Sequence, residues 1–166
     1  MSPAGSSDAK LLILGSLPGE ASLKAQRYYA HPQNQFWRLL GRAIGEDLAG
    51  IDYDDRLVRL AARRIALWDV VAEASRAGSL DGAIRGATPN QVRDYAATHP
   101  SLRAIAFNGK TSARIGRIGL GELKGVELID LPSSSPAFTL ALEEKAKSWA
   151  VLGPLAWPPE AATLGP

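Results

Sequence analysis

No cysteine occurs among the 166 residues, so disulfides, a thiolate nucleophile and thiolate-ligated zinc are excluded at the outset. Histidine is almost as scarce. The two present, His31 and His99, are not spaced as metal ligands, and neither a metal nor another cofactor is expected. Long apolar runs are missing too. Nothing approaches the length of a membrane span, and the chain does not open on a basic-then-apolar leader, which points to a cytoplasmic protein with no membrane partner. Neither G-x-G-x-x-G nor a P-loop is present, which disfavours a small-molecule nucleotide-binding protein. Nor does one sign of charge dominate: 19 Lys and Arg stand against 17 Asp and Glu, a formal net charge of +2. That balance permits nucleic-acid binding without demanding it. The arginines cluster between Arg56 and Arg64 and again between Arg103 and Lys124, where solvated helix faces explain them as well as a nucleic-acid surface does.

What is present is an ordinary globular composition, 46% hydrophobic and 22% charged, in a chain of one-domain length. The stretch Leu11 to Trp37 organises it. Leu11 to Leu14 is apolar at every position, the mark of a strand buried on both faces, and Gly15 to Gly19 breaks it into a loop. Ser22 is read as starting a short helix, and the turn His31-Pro32-Gln33-Asn34 precedes a longer one whose apolar residues Phe36, Trp37, Leu39, Leu40 and Ile44 recur at helical spacing up to Gly45. Asn34 falls at or near the N-cap of that helix. Further along, helices are predicted over 52–64, from Thr88-Pro-Asn-Gln91 to about Thr98, from Asn108-Gly109 through Ile115, and over 139–152. Strands are predicted within 65–71, whose last residues form the exit loop, and at 103–107 and 126–131, with a turn or helix start at Ser79-Leu-Asp81. Strand and helix alternate throughout. The fold class is therefore α/β: a single-domain three-layer α/β/α sandwich around a central, mainly parallel four-stranded sheet. Residues 1–10 read as a flexible end, 11–153 as the domain, and 154–166 as a Pro-rich tail.

In such a sheet the ligand crevice opens at the carboxyl ends of the strands. Three loops fall there, after Leu14, Trp68 and Leu131, and each holds something a core does not need: Gly15-Ser-Leu-Pro-Gly19, Asp69, and a serine run clamped by Pro132 and Pro136. The pieces GSLPGEASL, YYAHPQNQFW, ALWDVV with RAGSLD behind it, FNGK and LPSSSPA occur in the order, and on the strand exits and helix starts, of the uracil-DNA glycosylase superfamily. The chain resembles that superfamily over most of Leu11 to Trp149, and in particular its hypoxanthine-DNA (deoxyinosine) glycosylase branch.

The resemblance implies a repair enzyme that flips a deaminated base, hypoxanthine first of all, out of DNA and hydrolyses its N-glycosidic bond, with no lyase step and no cofactor. It implies double- or single-stranded DNA carrying the damaged base as partner, and a monomer. Relatives place an Asp or Asn just before the proline of the first motif; here Leu17 stands there. Gly19 replaces a bulky aromatic and widens the pocket for a purine. Leu131 takes the place of a histidine that helps the leaving base, and Phe138 that of an Asn. The catalytic residue is then expected from the HPxN turn, as Asn34, orienting water through its amide oxygen. Asp69 falls where relatives read the base edge, and its carboxylate suits the N1–H of hypoxanthine. Gly15, Ser16, Leu17, Gly19, Tyr29, Phe36 and Asp69 are expected to form the base pocket. His31, Lys110, Ser133, Ser134, Ser135 and Pro136 are expected to meet the DNA backbone.

Plainer readings of the same residues stay open. Asn34 fits a helix cap, Asp69 a cap of the next turn, Phe36 a core position and the serines ordinary turns. A mismatch-specific uracil-DNA glycosylase, or a catalytically silent module that binds lesion DNA on the same scaffold, remains the alternative.

Overall fold

The computed structural model describes residues 1–75 and 85–158, with side chains described outside 73–75 and 85–88. Its centre is β2 (Leu11–Gly15), every residue of which is buried. Because side chains alternate across a strand, Leu11 and Ile13 point into one core, while Leu12 and Leu14 point into a second. That two-sided burial explains the uninterrupted apolar run. Parallel neighbours flank β2: β3 (Ile65–Asp69) on one side and β6 (Ala104–Asn108) on the other, with β7 (Glu127–Leu131) beyond β6. These are the four strands expected.

A fifth strand was not expected. Within residues 1–10, β1 (Ala4–Gly5) pairs antiparallel with β3, giving the order β1-β3-β2-β6-β7. Buried hydroxyl and indole donors complete the attachment, since Tyr28 donates to the Ser2 carbonyl at 2.7 Å and Trp68 to that of Met1 at 3.0 Å. Side chains add to these backbone contacts: Ala9 is fully buried, Met1 and Ala4 pack against the core, and Asp8 pairs with Arg64.

Helices cover both faces of the sheet. α2 (Phe36–Ile44), α3 (Tyr53–Ala62) and α6 (Leu142–Trp149) lie over Leu11 and Ile13, with α2 burying Phe36, Trp37, Leu39, Leu40 and Ile44. α4 (Val92–Thr98) and α5 (Lys110–Leu120) cover Leu12 and Leu14. α2 ends where predicted, at Gly45 in the left-handed conformation (φ +74°), a backbone state that costs glycine little. The short α1 (Glu20–Ala25) follows the first loop. The closing helix is shorter than the 139–152 expected; it passes into a 3₁₀ turn over Ala150–Leu155 that contains Pro154.

After β3 the chain forms a second, two-stranded sheet, β4 (Val71–Ser75) with β5 (Arg85–Pro89). This was not anticipated: Val70-Val71 was read as the exit of β3 and Thr88 as a helix cap, whereas Thr88 is in β5 and α4 begins at Val92 without a side-chain cap. The expected turn at Ser79-Leu-Asp81 lies outside the described residues. No helix among the described residues is long and apolar enough to cross a membrane.

The arginine cluster of 56–64 is largely structural. The buried Arg63 donates to the carbonyls of Ile44 and Trp157 and pairs with Glu46, which also holds Arg59. Arg56 donates to the carbonyls of Ala49 and Ile51.

Candidate active site

Register places the carboxyl ends of the four parallel strands side by side: Gly15 opposite Asp69, and Asn108 opposite Leu131. The chain runs from β2 to β3 on one side and later returns to β6 on the other, so a crevice opens beyond β2 at the point where the connections diverge. A cavity of about 490 Å³ occupies it, within the range of sites for small organic ligands. Its walls are the Gly15–Gly19 loop, Tyr28, Tyr29, His31 and Asn34 from the second motif, Asp69, Asn108, and residues 133–138.

Asn34 is held from three directions. Its Oδ1 accepts the Phe36 N–H at 3.0 Å, so it does cap α2, from one residue outside the Gln35 N-cap. The same oxygen accepts the Ser134 hydroxyl at 2.8 Å. The backbone is tied across as well, with Gln35 N–H donating to the Ser134 carbonyl at 2.9 Å. A backbone N–H can only donate, so the atom that receives it must be the amide oxygen, and the orientation of the Asn34 amide is settled by geometry. Both lone pairs of Oδ1 are then engaged. The group left to the cavity is then the Nδ2 amine, a donor, which no described residue engages, rather than the oxygen expected to orient water.

Asp69 is almost fully buried, and its carboxylate lies over Gly15. A Cβ at Gly15 would stand 2.5 Å from Asp69 Oδ1 and 3.0 Å from the Tyr29 hydroxyl; the glycine is there for close approach, since only a hydrogen fits. Asn90 holds the backbone of this corner by donating from Nδ2 to the Asp69 carbonyl at 2.8 Å. Burial, reinforced by the Asp69 charge, pushes the Tyr28 hydroxyl far above the ordinary tyrosine range.

Phe36 does not reach the cavity. It is fully buried, and Tyr29 covers it, the two rings stacked 3.8 Å apart and 10° from parallel. Tyr29 takes the left-handed conformation (φ +55°), unusual for an aromatic residue, and thereby places its ring between the core and the cavity. Leu17 lines the cavity as expected and also packs on the core. Leu131 belongs to the core and does not line it. His31 is an exposed part of the rim, its Nδ1 accepting the Gln33 N–H at 3.1 Å.

The serine loop divides by role. Ser133, Ser134, Ser135 and Pro136 all line the cavity. Ser134 is 1% exposed, and its hydroxyl is spent on Asn34; it is corrected from a backbone-phosphate contact to part of the site's own scaffold. Lys110, exposed at the start of α5, does not line the cavity. Gly109 before it (φ +100°) must be glycine both for its backbone and because Ser133 would meet a Cβ at 3.2 Å.

Two site residues escaped the sequence reading. Asn108 ends a buried strand at the same sheet edge as the other three strand exits. It accepts the Ser134 N–H at 2.9 Å through Oδ1, and donates from Nδ2 to Ser134 Oγ at 2.8 Å and to the Tyr29 hydroxyl at 3.3 Å. Lys145 carried no signal at all within the charged face Glu143-Glu144-Lys145-Ala146-Lys147. It is completely buried, donating to Gln35 Oε1 at 2.9 Å and to the Ser135 carbonyl at 3.2 Å, with Phe138 over its ammonium. Burial lowers its pKa. No cluster of metal-ligating side chains is found among the described residues.

An acceptor from Asp69 and a donor from Asn34, presented together in a cavity at a sheet edge, suit a planar ligand with both hydrogen-bond functions. The model of the uracil DNA glycosylase superfamily matches residues 2–157. A protein of Methanosarcina barkeri named hypoxanthine DNA glycosylase is 40% identical over 148 residues, 89% of this chain and 92% of that protein. A protein of the same name from Methanosarcina acetivorans is 39% identical over 142 residues, 86% of this chain and 89% of its own length. The solution NMR structure of an M. acetivorans protein proposed to be a uracil DNA glycosylase superposes with a TM-score of 0.82 at 38% identity, covering 93% of this chain and 96% of that one. By family model, by sequence and by fold, the chain belongs to the uracil DNA glycosylase superfamily.

Proposed function

We propose that this protein excises hypoxanthine from DNA, flipping the nucleotide into the cavity and hydrolysing the N-glycosidic bond to leave an abasic site. The observation that carries the reading is the pairing of Asp69 and Asn34 in one cavity, in a chain similar to two proteins named hypoxanthine DNA glycosylase. The Asp69 carboxylate accepts the N1–H of the flipped base. Cleavage builds positive charge on the sugar and negative charge on the departing base, and preorganised donors aimed at developing charge are the strongest single means of lowering such a barrier. Asn34 Nδ2 is that donor. It acts on the leaving base, so that the sugar cation is left for water to capture without a strong base. The rim residues His31, Ser133, Ser135 and Pro136, together with Lys110, meet the backbone and stabilise the extruded nucleotide, whose unstacking costs a few kcal/mol. The enzyme works as a monomer and without a lyase step.

Single-turnover excision from duplexes carrying hypoxanthine, uracil or xanthine tests this. Hypoxanthine is released fastest, the strand is left uncleaved, and Asn34→Ala slows release about a hundredfold, the scale seen when one preorganised donor is lost. Release of no base at all, or Asn34→Ala at near wild-type rate, overturns the corresponding part. A mismatch-specific uracil glycosylase is the second reading, favoured by the NMR relative's description and by the N3–H that uracil would also offer Asp69. A higher rate on uracil than on hypoxanthine selects it.

A further inference from the structure

We propose that Asn108 and Ser134 are positioning residues that, together with the Phe36 N–H, hold the Asn34 amide with its oxygen inward and its amine toward the substrate. The proposal rests on the reading of Asn34 given above and adds the device that orients it. The device is a directed chain of hydrogen bonds anchored by a backbone N–H at each end. At one end the Ser134 N–H donates to Asn108 Oδ1, which forces Asn108 to present Nδ2 to Ser134 Oγ. Ser134 Oγ therefore receives a hydrogen and directs its own toward Asn34. At the other end the Phe36 N–H donates to Asn34 Oδ1. Every hydrogen position follows from these contacts, and only one polarity satisfies them all. The Asn34 oxygen is locked inward and the amine outward. Asn108 and Ser134 are 7% and 1% exposed, so water does not readily replace a missing member, and hydrogen bonds in such chains reinforce one another.

The sharpest test reverses the chain without removing it. In Asn108→Asp the carboxylate still accepts the Ser134 N–H but has no hydrogen for Ser134 Oγ. It also competes with Asn34 for the single hydroxyl hydrogen, and a charged acceptor wins that competition. The titratable neighbours are Tyr29, whose hydroxyl touches Asn108, and Asp69 across Gly15. Both are shared with the wild type, so the quantity to read is the ratio of variant to wild-type single-turnover rate. Near pH 8 the ratio falls about ten- to a hundredfold, the range of one to two hydrogen-bond equivalents. On acidification the protonated carboxyl regains a donor and the ratio climbs back. Ser134→Ala, which removes the donor outright, shows a similar loss with no acid recovery. In an Asn34→Ala background neither change slows the enzyme further, because both act through Asn34. Thermal melts and anisotropy with lesion duplex confirm that each variant is folded and binds DNA.

If Asn34→Ala is slow but Asn108→Asp and Ser134→Ala lie within twofold of wild type, or multiply the Asn34→Ala defect, the positioning role fails while the catalytic assignment stands. A loss in Asn108→Asp that is independent of pH also overturns it. If Asn34→Ala itself is near wild type, the catalytic assignment fails first and takes the positioning role with it.

Discussion

Tyr29 and Phe36 lie face to face, ring centroids 3.8 Å apart, with Tyr29 lining the cavity and Phe36 sealed beneath it. Trp37 and Trp149 close on the edges of the Phe36 ring at 5.0 and 5.6 Å, so the cavity wall is the outer leaf of an aromatic cluster. Phe36→Ala empties the centre of that cluster and is expected to cost about 3–5 kcal/mol of stability, the usual price of a buried ring. Tyr29→Ala, at a half-buried position, should cost much less stability while weakening capture of the flipped base. Urea denaturation of both variants beside single-turnover excision separates the two effects. Equal destabilisation by both would mean that Tyr29 is simply core.

Gly15 is expected to be intolerant of even one added carbon. Because Asp69 Oδ1 and the Tyr29 hydroxyl crowd the position, Gly15→Ala must displace the carboxylate proposed to read the base. Overpacking of this kind costs about 1–3 kcal/mol, which leaves the protein folded at room temperature. Excision should fall more than tenfold in a variant with a normal melting profile. A fully active Gly15→Ala would show that Asp69 does not need its present position.

Asn34→Asp distinguishes a donor from a water-activating oxygen. Aspartate keeps both acceptor contacts, to the Phe36 N–H and the Ser134 hydroxyl, but offers the cavity no hydrogen when ionised. If Nδ2 is the working atom, Asn34→Asp at neutral pH is as slow as Asn34→Ala. If an oxygen activated water, a carboxylate would be the better base and the variant would be as fast as wild type or faster. Single-turnover rates for the pair decide it.

Lys145 predicts a pH-dependent stability. Burial lowers its pKa from the ordinary 10.5. Between the lowered value and 10.5 the unfolded chain therefore holds more protons than the folded chain, and this residue's contribution to stability rises with pH through that window. Below it, the buried ammonium is a constant cost, offset by its bonds to Gln35 and Ser135. The tyrosines 28, 53 and 95, whose hydroxyls burial pushes up, work in the opposite sense at higher pH but are common to wild type and variant. The stability difference between wild type and Lys145→Met, from urea midpoints measured between neutral pH and about 10.5, should grow in favour of wild type as pH rises. A difference that stays flat rules out a buried, titrating ammonium. The same variant frees the serine loop and slows excision.

The order of elements was legible in the chain because local physics wrote it there. A strand buried on both faces has to be apolar throughout, as Leu11 to Leu14 is. A helix with one face on the core has to repeat as Phe36 to Ile44 does, and left-handed stops select glycines such as Gly45. The loops bearing Gly15–Gly19, Asp69 and the serines could be set at one sheet edge from the alternation of strand and helix, whereas Asn34 joined them only through the family resemblance. Other features could not be read this way. β1 is two residues long, too short to leave a pattern in its side chains, and the β4–β5 pairing joins segments of ordinary loop composition.

At the site, the sequence determined which chemical groups are available, and tertiary structure decided what each is free to do. The sequence shows that an amide, a carboxylate and three hydroxyls are available in Asn34, Asp69 and Ser133 to Ser135. It does not show that the hydroxyl of Ser134 is consumed by Asn34 across 100 residues of chain, that Phe36 is hidden by Tyr29, or that Lys145 is buried beneath the serine loop. A hydrogen bond has a direction and a single hydrogen to give, so the working end of Asn34 depends on Phe36, Ser134 and Asn108 together, and only folding brings those three to it.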